Sequence, residues 1–364
     1  MKMNKFLTTV TALAGLFWNV SCSAQLAVKP GNAKIAYMGR VKTSSDSASF
    51  YWPGSSATIN FSGTGVKASL KSLHEPGYYY AIVDGDAMKA FKFGADSSRK
   101  DFTLASGLPA GKHTLQLFKL SNNTSEDVFY GFRIDGDAKL LKPAKPAKRK
   151  IEFYGNSITA GHGVDVPPQM KETGAPEYFN NYYSYAALTA RHYQAQYSCI
   201  ARSGIGIMVS WFPEIMPEIY DRLDPMVPNS KWDFAEYTPD VVVINLFQND
   251  YWLVNNPNHD QFKRRFGTTK PTEEFIINAY QNFVAGVRAK YPKAQIICAL
   301  GNMNATETGS KFPGYIEQAV ARLKDNKIYT CFFPYKNTGG HPNKAEQQRM
   351  ADQLISFIDQ TVKW

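Results

Sequence analysis

Cysteine is scarce in this chain, with four in 364 residues. One of them, Cys22, falls in an N-terminal stretch expected to be removed. The remaining three, Cys199, Cys298 and Cys331, are an odd number, which argues against a disulfide framework. Each lies in an apolar run, so buried thiols are expected. A single Cys298–Cys331 bridge stays open for an oxidising compartment. There is no CxxC pair and no His/Cys cluster, so no metal site is expected, and no other cofactor. Long apolar runs are missing as well. The one at Phe6–Val20 is too short to span a bilayer comfortably, and no membrane span is expected. Blocks of one charge are absent apart from Lys142–Lys150. The formal net charge is +10, or +8 without Lys2 and Lys5, but it is scattered. That pattern reads as a solvated surface and excludes nucleic acid as a partner. Internal repeats are absent too.

What is present divides into three parts. Lys2 and Lys5, the run Phe6–Val20 and the small residues Ser21-Cys22-Ser23-Ala24 read as an export leader over residues 1–24, cleaved before Gln25. The mature protein is then secreted or periplasmic. Val20-Ser21-Cys22 also resembles a lipid-attachment site, so anchoring at Cys22 is the alternative, with the polar Asn19 against it. Residues 25–140 alternate with period two, as in Ala57-Thr58-Ile59-Asn60-Phe61 and Val66-Lys67-Ala68-Ser69-Leu70. Turns such as Pro53-Gly54 and Asp84-Gly85 separate these short runs. An all-β antiparallel sandwich is expected. The 14% aromatic content suits its core and, on a surface, sugar stacking. The Pro- and Lys-rich segment 141–150 is a stiff linker. From 151 to 364, continuous apolar runs (Ile151–Tyr154, Tyr197–Ala201, Val241–Leu246, Ile296–Leu300, Ile328–Phe333) alternate with helical stretches near 182–194, 273–290, 312–325 and 343–362. An α/β domain follows, with a five-stranded parallel sheet between two helical layers. Ligands bind beyond the carboxyl ends of such strands.

Four strand ends carry chemistry. Gly155-Asn156-Ser157-Ile158-Thr159 places a Ser at a strand-to-helix turn, as an exposed nucleophile or a helix cap. Ala201-Arg202-Ser203-Gly204 offers a backbone N–H or a plain turn. Leu246-Phe247-Gln248-Asn249-Asp250 offers an Asn side chain as an oxyanion donor, or a turn closed by Asn-Asp. Gly339-Gly340-His341 puts a His in a flexible loop before the last helix. Of the six His, only His341 stands late in the chain after a strand end. His162 is near Ser157 in sequence, which alone says nothing of geometry.

Ser157, Gly204, Asn249 and His341, in that order, resemble the four blocks of the SGNH hydrolase superfamily over residues 150–364. With the sandwich before it, Tyr37-Met38-Gly39-Arg40, the Trp52-Pro53-Gly54 turn and Arg202-Ser203-Gly204-Ile205-Gly206, the chain is similar to carbohydrate esterase family 2. Its expected fold is a jelly-roll sandwich followed by a three-layer α/β/α SGNH domain. The resemblance implies a serine acetyl esterase (acetylxylan esterase-like) acting on acetylated plant polysaccharide, at xylan or the 6-position of hexoses, through an acyl-enzyme. Catalysis falls to Ser157 and His341, and the oxyanion hole to Ser157, Gly204 and Asn249. Two departures stand out. The superfamily carries Asp three residues before the His, and here that residue is Thr338. No carboxylate lies between Asp325 and Glu346. A Ser-His dyad is therefore expected, with a loop carbonyl near Asn337 holding His341 Nδ1; a remote Asp, or a degenerate enzyme, is the rival. Phe247-Gln248 replaces the usual Gly-Thr, and Phe247 is expected to narrow or reshape the pocket mouth. Tyr251 and Trp252 read as a sugar-stacking wall, or as packing between domains. Val164–Tyr183 reads as a rim or lid, and the loop around Trp211 is another rim candidate. The competing functions are a lipid or aryl-ester hydrolase and a non-catalytic carbohydrate-binding protein on the same scaffold.

Overall fold

The structure, a computed structural model, describes residues 25–121 and 126–364. The expected leader and Cys22 lie outside the described residues. Two six-stranded antiparallel sheets come first. One runs in the order 41–43, 48–50, 127–135, 65–72, 100–105, and strand Leu26–Val28 pairs with Asp127–Asp135. The other runs 139–140, 56–62, 112–119, 77–83, 91–95, and strand Ala36–Met38 pairs with Ser56–Ser62. The period-two pattern explains the sandwich. Ala57, Ile59, Phe61, Val66 and Leu70 are fully buried, and they pack with Leu115, Leu117 and Phe129 between the sheets.

The second half holds a five-stranded parallel sheet in the order Gln196–Ala201, Lys150–Gly155, Val241–Asn245, Gln295–Leu300, Ile328–Phe332. Successive side chains alternate between its faces. Val242, Ile244, Ile296, Cys298 and Leu300 pack on one side, against helices Glu273–Lys290 and Phe312–Leu323. Val241, Val243, Ile297, Ala299 and Cys331 pack on the other, against Tyr185–His192 and Lys344–Thr361. This alternation removes the Cys298–Cys331 bridge. Cys298 pairs in register with Thr330 and Cys331 with Ala299, so the two sulfurs sit on opposite faces. All three described thiols are free and buried. Among the described residues, no helix is long and apolar enough to cross a membrane.

The halves lock together through buried polar groups. Arg40, from the sandwich, donates to the carbonyls of Tyr220 (2.6 Å) and Arg222 (3.0 Å) and to Tyr154 Oη (3.2 Å). Its guanidinium faces Glu152 at 3.4 Å, and both side chains are fully buried. Glu152 also accepts from Ser198 and from Tyr291, each at 2.7 Å. Removing one partner of a buried pair strands the other charge and typically costs ~3–5 kcal/mol. Arg40→Met is expected to lower stability by about that amount in urea unfolding, and adding Glu152→Gln should recover part of the loss.

Candidate active site

Ser157 is the first residue of the one-turn helix Ser157–Ala160 that follows strand Lys150–Gly155. The cap is Asn156, not Ser157: its side chain accepts from the N–H of Ile158 at 3.0 Å. Ser157 Oγ is thereby left for other work, and its own N–H, in the first turn, has no intrahelical acceptor. His341 Nε2 lies 2.8 Å from Ser157 Oγ. Residues 184 apart in sequence meet because both strand-end loops open on the same edge of the sheet.

The partner of His341 Nδ1 is a carboxylate. Glu172 Oε1 is 2.5 Å from Nδ1, and Oε2 accepts the backbone N–H of His341 at 2.9 Å. This corrects the expected loop carbonyl near Asn337 and turns the expected dyad into a three-residue relay. The loop before His341 is occupied elsewhere. Lys336 Nζ donates to the carbonyls of Thr338 (2.8 Å) and Gly339 (2.9 Å), and Thr338 Oγ1 donates to Glu346 at 2.7 Å. The position where the superfamily carries its acid is thus tied into a separate polar knot. The carboxylate that meets Nδ1 comes instead from the segment between Val164 and Tyr183.

Glu172 sits in a narrow seat. A β-carbon on Gly163 or on Gly340 would come within 3.0 Å of its Oε2, and both glycines have positive φ, +71° and +65°. Gly163→Ala is expected to displace the carboxylate. A misplacement of ~1 Å at such a group costs up to ~100-fold in rate, while the left-handed backbone adds only ~1–2 kcal/mol of instability. Activity should therefore fall much further than the melting temperature implies, which paired kinetics and thermal melts would read. His162 completes the cluster. Its ring stacks on His341 with centroids 4.1 Å apart and planes 14° apart. Its Nε2 is 3.0 Å from Glu172 Oε1, and its Nδ1 is 3.2 Å from Ser203 Oγ, beside Gly204.

Ligand atoms of His162, Glu172 and His341 lie within 4.8 Å of one another, close enough to raise the question of a metal. The rings answer it. Nearly parallel imidazoles direct their in-plane lone pairs side by side and not toward one shared ion. The cluster fits a hydrogen-bonded relay around one carboxylate. Burial would raise the Glu172 carboxyl, but hydrogen bonds from His162 and His341 prevail and hold it well below the usual carboxylate range. Burial pushes the His341 imidazole down, and the opposing pull of Glu172 does not make this up. A neutral imidazole over an ionised acid is the state that can accept a serine proton.

The loop after the second strand forms the other wall. Gly204 has φ +82°, and its carbonyl accepts from Trp211 N–H at 3.0 Å. Asn249 Nδ2 donates to the Ile205 carbonyl at 2.7 Å, while its Oδ1 accepts from Trp211 Nε1 at 3.0 Å. One amide N–H is left over. Asp250 accepts from the N–H groups of Ile207, Met208 and Val209. Burial pushes its carboxyl up to about 6 against those three N–H donors. Asn249 and Asp250 together strap residues 204–211 to the helix Gln248–Val254.

The three aromatic candidates separate. Phe247 does not narrow the mouth. It is fully buried, with φ +84°, and it packs on Tyr280 and Phe312 with ring centroids at 4.7 and 5.2 Å. Tyr251 points away as well: it packs on Phe312, and its hydroxyl meets Glu307 at 3.1 Å. Trp252 takes a third course, with its indole N–H 3.3 Å from Asn304 Oδ1. It lines a cleft of about 500 Å³ with Asn304, Tyr335 and residues 337–340, the loop that leads into His341.

Both halves of the chain have known relatives. Residues 37–144 match the carbohydrate esterase 2 N-terminal family, and residues 153–356 match the GDSL-like lipase/acylhydrolase family. The solved structure of a family two carbohydrate esterase from Clostridium thermocellum, in complex with cellohexaose, is 34% identical. It superposes with a TM-score of 0.78 over 90% of this chain and 98% of that one. The chain belongs to carbohydrate esterase family 2. This family 2 esterase is also 35% identical to the cellulase/esterase CelE of Acetivibrio thermocellus over 92% of its length, but it spans only 40% of that relative. An acetylxylan esterase / glucomannan deacetylase of Cellvibrio japonicus is 24% identical across 99% of this chain and 100% of its own.

Sequence reasoning placed Ser157 and His341 together but missed Glu172 and His162 as their partners. The esterase carries one local hint, the glycines flanking both histidines, Gly161-His162-Gly163 and Gly339-Gly340-His341. Gly163 and Gly340 clear the space that the Glu172 carboxylate fills.

Proposed function

We propose that this esterase removes acetyl groups from plant polysaccharides, at the 6-position of hexoses or on xylan, through an acetyl-serine intermediate. The observation that carries the reading is the 2.8 Å contact of His341 Nε2 with Ser157 Oγ, backed by Glu172 at Nδ1. Ser157 Oγ attacks the acetyl carbonyl carbon as His341 Nε2 takes its proton. The tetrahedral oxyanion faces the N–H groups of Ser157 and Gly204 and the free N–H of Asn249. Loss of one such donor costs ~3 kcal/mol of barrier. The imidazolium, stabilised by ionised Glu172, gives its proton to the leaving sugar oxygen, and the acetyl group stays on Ser157. Water then attacks, His341 takes its proton, and acetate leaves as Ser157 regains a hydrogen. The chemistry is complete with protein groups and water.

The cleft favours a sugar over a long acyl chain, because Asn304, Asn337 and Thr338 line it together with Trp252. The non-catalytic reading rested on a missing acid and an obstructing Phe247; Glu172 and the buried Phe247 remove both supports. Export by the leader at 1–24 belongs to the same proposal, since the substrate is extracellular. The test is acetate release from acetylated glucomannan and acetylated xylan, beside hydrolysis of acetyl and octanoyl esters. Acetate release with little octanoyl hydrolysis is expected. The opposite preference selects the lipid-esterase reading, and inertness on every ester selects the binding-protein reading.

A further inference from the structure

We propose that Lys92 of the β-sandwich is a positioning residue for catalysis: with Asp165 it clamps the base of the loop that delivers Glu172. The inference rests on the reading of Glu172 as the catalytic acid. Lys92 Nζ lies 2.6 Å from Asp165 Oδ2 and 2.6 Å from the carbonyl of Glu177. One ammonium therefore grips both ends of the excursion whose far part holds Glu172. The two ends also bond directly, Asp165 N–H to the Tyr178 carbonyl at 3.1 Å.

Asn180 closes the clamp. Its amide donates to both Asp165 oxygens, at 3.0 and 2.9 Å, and to Tyr80 Oη at 2.8 Å. Tyr80 and Lys92 are direct cross-strand partners in the sandwich. Their side chains therefore leave the same face of that sheet, and both meet the loop base. Between the ends the chain has little regular structure of its own, with the single turn Pro176–Tyr178 as its only assigned helix. A loop of this length holds its shape through its anchors. The anchors here are the sandwich clamp at the base and the Glu172 contacts with the two histidines. The Lys92 and Asp165 side chains are only 27% and 25% exposed, so the pair is partly sheltered from solvent.

The consequence is a division of labour between the halves. The parallel-sheet half carries Ser157, His341 and the oxyanion donors. The sandwich supplies none of these, yet it fixes the acid. A clamp acting through Glu172 lowers turnover and leaves binding of a small ester almost untouched, because neither Lys92 nor Asp165 lines the cleft beside Trp252.

The experiment is a double-mutant cycle on the full chain, with kcat and KM measured on 4-nitrophenyl acetate and thermal melts alongside. Lys92→Met is expected to lower kcat about 10-fold, within the range for a displaced catalytic group, with KM within about twofold of wild type. Lys92→Arg should restore most of the rate. In a Glu172→Gln background Lys92→Met should have no further effect, since coupled residues are not additive. Tyr80→Phe, which keeps the ring and removes only the hydroxyl, repeats the cycle with a milder change. The proposal is overturned if Lys92→Met leaves kcat intact, or lowers it by the same factor in both backgrounds. An unchanged rate in Glu172→Gln alone would instead overturn the acid assignment beneath it.

Discussion

Ser157→Ala is expected to lower kcat/KM for acetyl esters by ~10⁴-fold or more, and His341→Ala by a similar factor. The two side chains act as one unit. Without Oγ there is no acyl acceptor; without Nε2 the hydroxyl keeps its proton and is a weak nucleophile. The double variant should therefore be hardly worse than either single one. What survives comes from the oxyanion donors and from binding. Both substitutions remove only a few atoms, and Ser157 does not cap its helix, because Asn156 does. The melting temperature should stay close to wild type, as should polysaccharide binding measured by affinity electrophoresis. Acetate release equal to wild type in Ser157→Ala would sink the nucleophile.

The parts of this site that the sequence reveals are those set by local pattern. Helix Glu273–Lys290 begins and ends where its periodicity does, with Thr272 capping the N–H of Phe275. The parallel strands coincide with the apolar runs, and the polar residues at their ends fall on one edge of the sheet as the topology requires. Pattern fails where a contact joins two irregular segments. Glu172 and His341 are 169 residues apart, and neither belongs to a helix or strand. No period encodes that meeting. Phe247 fails for another reason. Its left-handed backbone turns the ring into the core and starts the helix Gln248–Val254 without a side-chain cap, so the segment reads as a loop. Tyr251 and Trp252 are neighbours on that helix and diverge by one helical step, which sends one to Phe312 and the other to the cleft.

Glu172→Gln is the substitution that decides what serves His341. It keeps the volume and removes the charge. The amide can still meet Nδ1, but it no longer balances the imidazolium that forms as Ser157 is deprotonated, and an amide N–H turned toward Nδ1 selects the wrong tautomer. Removal of the equivalent acid in serine hydrolases costs on the order of 10⁴-fold in kcat, and a similar loss is expected here with KM little changed. The pH profile supplies a second readout. In the wild type, burial holds the His341 imidazole below its ordinary value of about 6.5, and the hydrogen bond from Glu172 works against that burial. The base is neutral at pH 7, and activity falls only as the pH drops through the lowered value. Without the carboxylate the upward pull is gone, so the acid limb of kcat/KM should move to still lower pH while the plateau collapses. A backbone carbonyl serving Nδ1 predicts neither change: the plateau would hold and the limb would stay where it is. A rate for Glu172→Gln within a few-fold of wild type, with an unmoved limb, would return the enzyme to a Ser-His dyad. A collapsed plateau with a limb displaced toward acid places its third member on the loop that the sandwich holds.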